Sequence, residues 1–287
     1  MIADQLREKT GFSDVERSIA DYFLQAGDAL RDQSARSIAA RLYTAPSTIS
    51  RLCKRMGYEG YTDFRDAYLD ELRYLSTTFE NVDANRPFDK GDDVRTISAK
   101  MGALFRETVD DTLTIVESDA LQRAVDLIAQ APVAYLFSEG TQAYLAEDFA
   151  DKMARIGRRV TVLHKADVTY FLGGDAKDRE VFVILSYSGE TPNILRVARQ
   201  IKAGGGSVIA ITSYGRNSLS QLADVTLHVS TRENLVEKIG AYAMNVSTLL
   251  LLDTLYSCVF ALDYDDNAAR FLQGSSDMGR YRSEDQD

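Results

Sequence analysis

The fold of the larger part of the chain is indicated by residues 181–205, V-F-V-I-L-S-Y-S-G-E-T-P-N-I-L-R-V-A-R-Q-I-K-A-G-G. Its first five residues are apolar, as is typical of a buried strand. After the proline, which favours the first position of a helix, apolar residues recur at helical spacing. Three hydroxyl residues, Ser186, Ser188 and Thr191, surround Gly189 where the strand gives way to the helix. The segment therefore predicts a strand–helix unit joined by a polar turn.

Similar short apolar runs alternate with helical stretches on both sides of this unit. Such alternation predicts a parallel sheet with helices on both faces. We expect five strands, at residues 133–137, 159–163, 181–186, 207–212 and 225–230. A last helix is expected at roughly residues 233–262. It is apolar on more than one face, so we expect it to pack against another subunit.

The N-terminal part of the chain, residues 13–75, reads as one helix after another. The short helix A-R-S-I-A-A-R-L is followed by the break Y-T-A and then by P-S-T-I-S-R-L-C-K-R-M, residues 46–56. Helical spacing places Ile49, Leu52, Cys53 and Met56 on the inward face. The outward face carries Ser47, Thr48, Ser50, Arg51, Lys54 and Arg55. This is the arrangement of a helix-turn-helix, whose second helix enters the major groove of DNA.

The charge distribution agrees with a nucleic-acid-binding surface confined to one part of the protein. The net charge of −10 argues against a protein that coats nucleic acid with its whole surface. Residues 31–65 nevertheless hold seven Arg or Lys against three Asp or Glu. The early polar residues of the second helix are expected to touch bases, while its basic residues reach phosphates or guanine edges. The alternative is a solvated charged face on a small helical bundle.

Length and composition bound the remaining organisation. With 287 residues, of which 45% are hydrophobic, the chain can fill two cores. Its two cysteines are far apart and suggest neither a disulfide framework nor a zinc site, and we expect no metal or cofactor. The charged N-terminus and an apolar run interrupted by Asp253 predict a soluble cytoplasmic protein without a membrane span. We expect a helix-turn-helix domain at 1–75, a linker and connecting helix at 76–107, an α/β domain at 108–262 and an acidic, flexible tail at 263–287.

The polar turns of the α/β domain predict a ligand site. In open α/β sheets, ligands bind at the carboxyl ends of the strands. Helix N-termini there present free N–H groups and attract anions. The turns at residues 138–142, 186–191 and 211–218 all lie at such ends. The alternative is that their Ser and Thr residues only cap helices.

The segments Y-L-F-S-E-G-T-Q-A-Y-L-A-E-D-F and V-I-L-S-Y-S-G-E-T-P-N-I-L, with the later I-T-S, resemble a SIS (sugar isomerase) domain from about residue 118 to 250. The resemblance implies a fold that binds phosphorylated sugars. It implies that the hydroxyls in the turns after the first and third strands hold the phosphate. The residues so implied are Thr141, Gln142, Ser186, Ser188 and Thr191, with Gly189 for the turn. Gly140 in the first turn and Glu237 ahead of the last helix are further ligand candidates.

The first of these turns departs from the SIS pattern. The family has glycine, a small residue, glycine and then serines, whereas this chain has S-E-G-T-Q at residues 138–142. A carboxylate at Glu139 opposes a phosphate unless it points away or binds a sugar hydroxyl or amine. Gln142 still donates hydrogen bonds but is larger than serine. An altered or non-phosphorylated ligand therefore stays open.

The stretch P-S-T-I-S-R-L-C-K-R-M-G-Y-E-G-Y, with most of residues 10–75, resembles the N-terminal domain of RpiR-type (MurR/RpiR) transcriptional regulators. One departure is Ala45, where the family commonly has a serine cap. The resemblance implies a regulator of a sugar-metabolism operon, without catalytic residues, that binds operator DNA and responds to a sugar-phosphate effector. Two half-sites would be bound by a homodimer or homotetramer.

Two other classes of protein remain open from the sequence. A SIS-type sugar-phosphate isomerase needs a general base near the sugar carbons. His164, Glu233 and Glu237 are the candidates for it, while His228 lies within a strand pattern. A sugar-phosphate sensor that acts through protein partners is the third reading.

Overall fold

The chain divides into two compact units. The computed structural model describes residues 2–77, 82–140, 142–177 and 179–284. The first, helical unit comprises Met1–Asp111, Ser213–Ser218 and Ser230–Ala243, and the second, α/β unit comprises Thr112–Thr212, Leu219–Val229 and Met244–Asp287. The units interleave along the chain, so the domain boundaries expected at residues 75, 107 and 262 stay a prediction.

The helical unit begins with six helices, the last of which extends into the α/β unit. They are α1 (Ile2–Glu8), α2 (Asp14–Ala26), α3 (Ala35–Arg41), α4 (Pro46–Arg55), α5 (Tyr61–Thr77) and α6 (Val94–Ile115), with a 3-10 helix at Gly27–Asp32. Ser13 and Ser34 form capping boxes at the starts of α2 and α3. The sequence did not predict α1, which is held by a distant residue. The buried Glu71 carboxylate accepts hydrogen bonds from the N–H groups of Ile2 at 2.7 Å and Ala3 at 2.9 Å.

Aromatic side chains form the centre of the helical unit. Phe23 of α2 and Phe64 of α5 are fully buried, with their ring centres 4.8 Å apart. Tyr68 stacks on Phe64 at 5.8 Å. Ile49 and Leu52 bring α4 against the same core. This packing fixes the orientation of α4 and therefore decides which of its side chains face outward.

The α/β unit contains the predicted five-stranded parallel sheet. Its strands are β1 (Ala134–Ser138), β2 (Val160–Leu163), β3 (Val181–Leu185), β4 (Ser207–Ser213) and β5 (Val225–Val229), in the order β2-β1-β3-β4-β5. Its helices are α7 (Ser118–Gln130), α8 (Ala143–Arg155), α9 (Ala166–Gly174), α10 (Pro192–Gly204), α11 (Ser218–Leu222), α12 (Ala243–Ala261) and α13 (Tyr264–Glu284). Ala134 aligns with Val160 on one side and Val181 on the other, and Val181 aligns with Ser207. All five residues of β3 are buried, as the apolar run predicted.

Helix α9 was not predicted, and a glycine explains how it packs. A Cβ atom added to Gly173 would lie 2.5 Å from the side chain of Ile201 on α10. Only glycine therefore permits this approach of α9 to α10. The glycines that give α9 its close contact also weaken its helical pattern in the sequence.

The last long helix begins ten residues later than expected. The sequence suggested roughly 233–262, whereas α12 runs from Ala243 to Ala261. Residues 230–242 are irregular, and the fully buried Glu233 accepts a hydrogen bond from the backbone N–H of Ala243. A carboxylate at a helix N-terminus favours starting the helix there. Among the described helices, α12 is also long and apolar enough to cross a membrane, with 44% of its most apolar window buried inside the protein.

The C-terminal segment is helical where the sequence suggested a frayed tail. Helix α13 covers Tyr264–Glu284, with Asp265 and Asp266 in its first turn. Acidic residues stabilise a helix start, and Asn267 anchors this turn by donating to the Phe260 carbonyl at 3.0 Å. Phe271 lies 5.8 Å from the guanidinium of Arg155 on α8. Whether residues 263–287 are flexible stays a prediction.

The described part of the expected linker makes specific contacts. The side-chain oxygen of Asn85 accepts from the N–H of Asn234 at 2.6 Å, and its carbonyl accepts from Ile239 at 3.0 Å. Arg232 donates to the Val82 carbonyl at 2.9 Å and pairs with Glu107 at 2.6 Å. Residues 82–93 are therefore tied to the irregular segment 230–242 within the helical unit.

Candidate functional site

Helix α4 has the inward face that the sequence predicted. Ile49, Leu52 and Cys53 are completely buried, and Met56 packs against the same core. Burial raises the pKa of the Cys53 thiol to about 12, so this cysteine is a core residue rather than a reactive one. The helix starts at Pro46, and Ala45 before it makes no side-chain capping bond. The missing serine cap therefore leaves the start of α4 in place.

The opposite face of α4 is polar and open to solvent. Most of the predicted DNA-contacting residues are exposed: Ser47, Arg51, Lys54 and Arg55, with Thr48 and Ser50 partly exposed. The guanidinium of Arg51 donates to the Thr48 hydroxyl at 3.4 Å. A short helix, a four-residue turn and a second helix with this face form a helix-turn-helix.

Arg55 differs from Arg51 because the partners of its guanidinium lie outside α4. Its guanidinium lies 3.0 Å from the Glu16 carboxylate, donates to the Gly11 carbonyl and lies 5.6 Å from the centre of the Phe12 ring. These contacts hold α4 against the start of α2. The sequence could not reveal them, because the partners lie 39 to 44 residues away.

The polar turn after β3, residues 186–191, has the backbone that its glycine predicted. Gly189 has φ 64°, and its N–H donates to the Ser186 carbonyl at 3.2 Å. The Ser188 hydroxyl accepts from the N–H of Glu190 at 3.2 Å. Pro192 is the first residue of α10, yet Thr191 before it makes no side-chain capping bond. Capping of α10 therefore does not explain why a hydroxyl residue occupies position 191.

The turn after β1 has a different chemistry. Gly140 has φ 95°, and Glu139 accepts from the Asn193 side chain in the first turn of α10 at 3.3 Å. The Gln142 side chain is buried and donates to the Thr248 hydroxyl on α12 at 2.8 Å. Gln142 therefore joins α8 to α12 as well as being a ligand candidate. Thr141 lies outside the described residues.

Ser138 is a candidate that the sequence analysis did not select. It ends β1, is 2% exposed, and its hydroxyl is buried without a hydrogen-bond partner among the described residues. A buried hydroxyl without a partner is costly, and a ligand hydroxyl or phosphate oxygen could satisfy it. Its position before a loop was visible in the sequence, but its burial was not.

Thr212 and Leu219, which flank the loop segment at residues 213–218, are both hydrogen-bonded to the turn after β3. Thr212 donates from its hydroxyl to the Tyr187 carbonyl at 3.3 Å, and the N–H of Leu219 donates to the Gly189 carbonyl at 3.0 Å. The loop itself groups with the helical unit. There Arg216 pairs with Asp63 of α5 at 3.0 Å, both side chains being partly exposed.

Two of the remaining ligand and base candidates lie in the helical unit. Glu237 is exposed and lines a cavity of about 210 Å³ with Asp4, Arg7 and Glu8 of α1. Glu233 is buried, caps α12 and pairs with Lys238 at 3.1 Å. Through these two interactions Glu233 stabilises the fold.

The two histidines lie in the α/β unit. His164 is exposed, and its Nε2 lies 2.9 Å from the Glu147 carboxylate. His228 lies within β5, as the strand pattern predicted. The two histidines therefore belong to one unit, and Glu233 and Glu237 belong to the other. Among the described residues, no group of three or more His, Cys, Asp or Glu could hold a metal ion.

Comparison with known families agrees with this architecture. The profile described as "Helix-turn-helix domain, rpiR family" matches residues 2–73, and the SIS domain profile matches residues 127–258. A relative from Caldanaerobacter subterraneus, described as an uncharacterized HTH-type transcriptional regulator, is 24% identical over 273 residues, 94% of this chain and 93% of that protein.

Two solved structures share the fold. Vibrio vulnificus NanR, solved in complex with ManNAc-6P, has 23% identity and a TM-score of 0.63, covering 96% of this chain and 97% of that one. The sugar isomerase domain of an RpiR transcription factor from Sphaerobacter thermophilus has 15% identity and a TM-score of 0.54, covering 62% of this chain and 98% of that one. The order of the two domain profiles and the full-length relatives identify the chain as a member of the RpiR family of transcriptional regulators, which join a helix-turn-helix domain to a SIS domain.

Proposed function

We propose that this regulator binds operator DNA through α4 and is controlled by a phosphorylated sugar bound in its α/β unit. Its target is an operon of sugar metabolism. The proposed DNA-contacting residues are Ser47, Thr48, Ser50, Arg51, Lys54 and Arg55, of which Arg55 also holds α4 in place. A homodimer or homotetramer in the cytoplasm presents two copies of α4 to two half-sites.

The turn after β3 is the observation that carries the effector part of the proposal. It combines a left-handed glycine at Gly189, the hydroxyls of Ser186 and Ser188, and a Thr191 hydroxyl that does not cap α10. Backbone N–H groups and hydroxyls at the N-terminus of a helix suit a phosphate group without a lysine. The structure of NanR with ManNAc-6P supports a sugar phosphate as the effector class.

The turn after β1 would complete the ligand site. In this proposal Gly140 and Thr141 bind the phosphate group. The Ser138 hydroxyl forms a hydrogen bond with the sugar. Gln142 keeps its hydrogen bond to Thr248 and offers its amide oxygen to the ligand in this proposal. Glu237 stays a proposed ligand contact.

The loop at residues 213–218 is our proposed route for the response. Ligand at the turn after β3 would move the carbonyls of Tyr187 and Gly189, which accept hydrogen bonds from Thr212 and Leu219 on either side of this loop in the sequence. The loop belongs to the helical unit, where Arg216 pairs with Asp63 on α5. Effector binding would therefore favour one arrangement of the loop and of the helix it contacts.

The salt dependence of DNA binding tests the DNA-binding part. Arg51→Ala should weaken binding to the DNA upstream of the coding region and reduce the slope of log affinity against log salt by about 1, because one phosphate or base contact is lost. Effector binding and the melting temperature should not change. Arg199→Ala, on an exposed face of α10, serves as the matched control. An unaltered slope for Arg51→Ala would remove α4 from the interface.

A further inference from the structure

Tyr43 combines an unfavourable backbone with full exposure. It lies in the turn between α3 and α4, has φ 51° and is 98% exposed. The left-handed region is disfavoured for residues with a large side chain, whereas glycine and asparagine adopt it more easily. Exposing a whole aromatic ring to water adds a second cost.

The left-handed backbone of Tyr43 ends α3, where the N–H of Thr44 donates to the Ala39 carbonyl at 2.9 Å, but glycine rather than tyrosine is the usual residue at such a helix end. The side chain of Tyr43 makes no hydrogen bond, ion pair or ring contact among the described residues. Other aromatics of the helical unit, such as Phe23 and Phe64, are buried in its core. Residues held in unfavourable backbone conformations occur preferentially at functional sites. The observation therefore points to a partner outside this unit.

The position of Tyr43 identifies the chemistry of that partner. The turn directly precedes the exposed residues Ser47 and Arg51 of α4, within the locally basic stretch 31–65. In a helix-turn-helix, the part of the motif before the second helix lies along the DNA backbone. A tyrosine there can pack its ring on a deoxyribose and donate its hydroxyl to a phosphate oxygen.

We propose that Tyr43 contacts the sugar–phosphate backbone of operator DNA and positions α4 in the major groove. This inference rests on the proposed DNA-binding function. It adds a contact that carries no charge and lies outside α4. Because a neutral donor releases no counterion, its loss lowers DNA affinity without altering the salt slope.

The test compares Tyr43→Gly with Arg51→Ala and wild type in operator binding, thermal unfolding and effector binding. For Tyr43→Gly we expect a melting temperature equal to or above that of wild type, since glycine accepts φ 51°. DNA affinity should fall about three- to tenfold, the size of a lost hydrogen bond with packing, at an unchanged salt slope. Tyr43→Phe should lose part of this affinity. Tyr144→Ala, which removes a ring that is 81% exposed on α8, should leave it unchanged.

Four results would overturn the inference. Wild-type DNA affinity in Tyr43→Gly, with weakened binding in Arg51→Ala, would refute the Tyr43 contact and leave the proposed function intact. A parallel fall in melting temperature and affinity would assign Tyr43 a structural role. A change in oligomeric state in sedimentation would assign it to an interface between copies. Failure of the wild type to bind any operator fragment would instead refute the proposed function and this inference together.

Discussion

The guanidinium of Arg55 lies 3.0 Å from the carboxylate of Glu16, which also belongs to the capping box at the start of α2. Glu16 closes the capping box by accepting hydrogen bonds from the N–H and hydroxyl of Ser13, each at 2.8 Å. One carboxylate thus joins the start of α2 to the end of α4. The orientation of the proposed DNA-reading helix therefore depends in part on the ion pair between Arg55 and Glu16.

Arg55→Ala should lower the free energy of unfolding of the helical unit by about 1 kcal/mol, because it removes a partly exposed ion pair, a hydrogen bond and a cation–π contact. Urea unfolding followed by circular dichroism measures this change. Lys54→Ala, one position earlier on the exposed face, is the control and should leave stability unchanged. Equal stability in the two variants would contradict the structural role of Arg55.

The same capping box predicts a dependence of stability on pH. The Ser13 N–H bonded to Glu16 lowers the pKa of that carboxyl below its ordinary value of 4.5, and Arg55 lowers it further. The stabilisation is complete above about pH 4.5 and is lost as the pH falls through the folded-state pKa. Urea midpoints from pH 6 to pH 3 should therefore fall less in Glu16→Gln than in wild type. Parallel curves for the two proteins would show that Glu16 does not contribute.

Ser188→Ala should weaken sugar-phosphate binding by about ten- to a hundredfold, the range for a lost hydrogen bond to a charged group. DNA affinity without effector should not change. Isothermal titration calorimetry measures the first quantity and anisotropy the second. Ser257→Ala, which removes an exposed hydroxyl on α12, is the matched control. Effector binding that survives both Ser188→Ala and Gly189→Val would reduce the turn to an ordinary helix start.

Glu139→Gln should tighten a phosphorylated ligand by about three- to tenfold, since it removes a like charge near the phosphate while keeping the side chain's size. Its oxygen could still accept from Asn193. Glu139→Gly should act in the same direction. Weaker binding in calorimetry would instead show that the carboxylate holds a sugar hydroxyl or amine.

Arg216→Ala should reduce the effector's influence on DNA affinity by about two- to fivefold, which corresponds to one partly exposed ion pair. Effector affinity itself should stay near wild type, since Thr212 and Leu219, and not Arg216, make the hydrogen bonds to Tyr187 and Gly189. Arg216→Lys should restore the response. A full response in Arg216→Ala would exclude the pair with Asp63 as part of the route.

Local patterns explain what could be predicted from the sequence. The two faces of α4 follow from the spacing of Ile49, Leu52 and Cys53, and β3 with α10 follows from an apolar run, a glycine turn and a proline. Both features are encoded within some twenty-five consecutive residues, so no distant contact is needed to recognise them.

Distant contacts explain what could not be predicted. Helix α1 depends on Glu71, sixty-nine residues away from Ile2, and the start of α12 depends on the buried Glu233. Gln142 stays a predicted ligand residue, but its hydrogen bond to Thr248, 106 residues further along, could not be predicted. Arg55 stays a predicted DNA contact, but its pair with Glu16 could not be predicted either. Each of these roles requires the folded chain.

Control of DNA binding by a sugar phosphate can be measured by fluorescence anisotropy. The protein is titrated against DNA from upstream of its own coding region, with and without a panel of sugar phosphates. We predict binding well above the non-specific level. One compound should shift the affinity about five- to a hundredfold, the usual range for coupling between two sites. Non-specific binding that no compound alters would contradict a ligand-controlled regulator, and isomerase assays beginning with His164 would then be the next step.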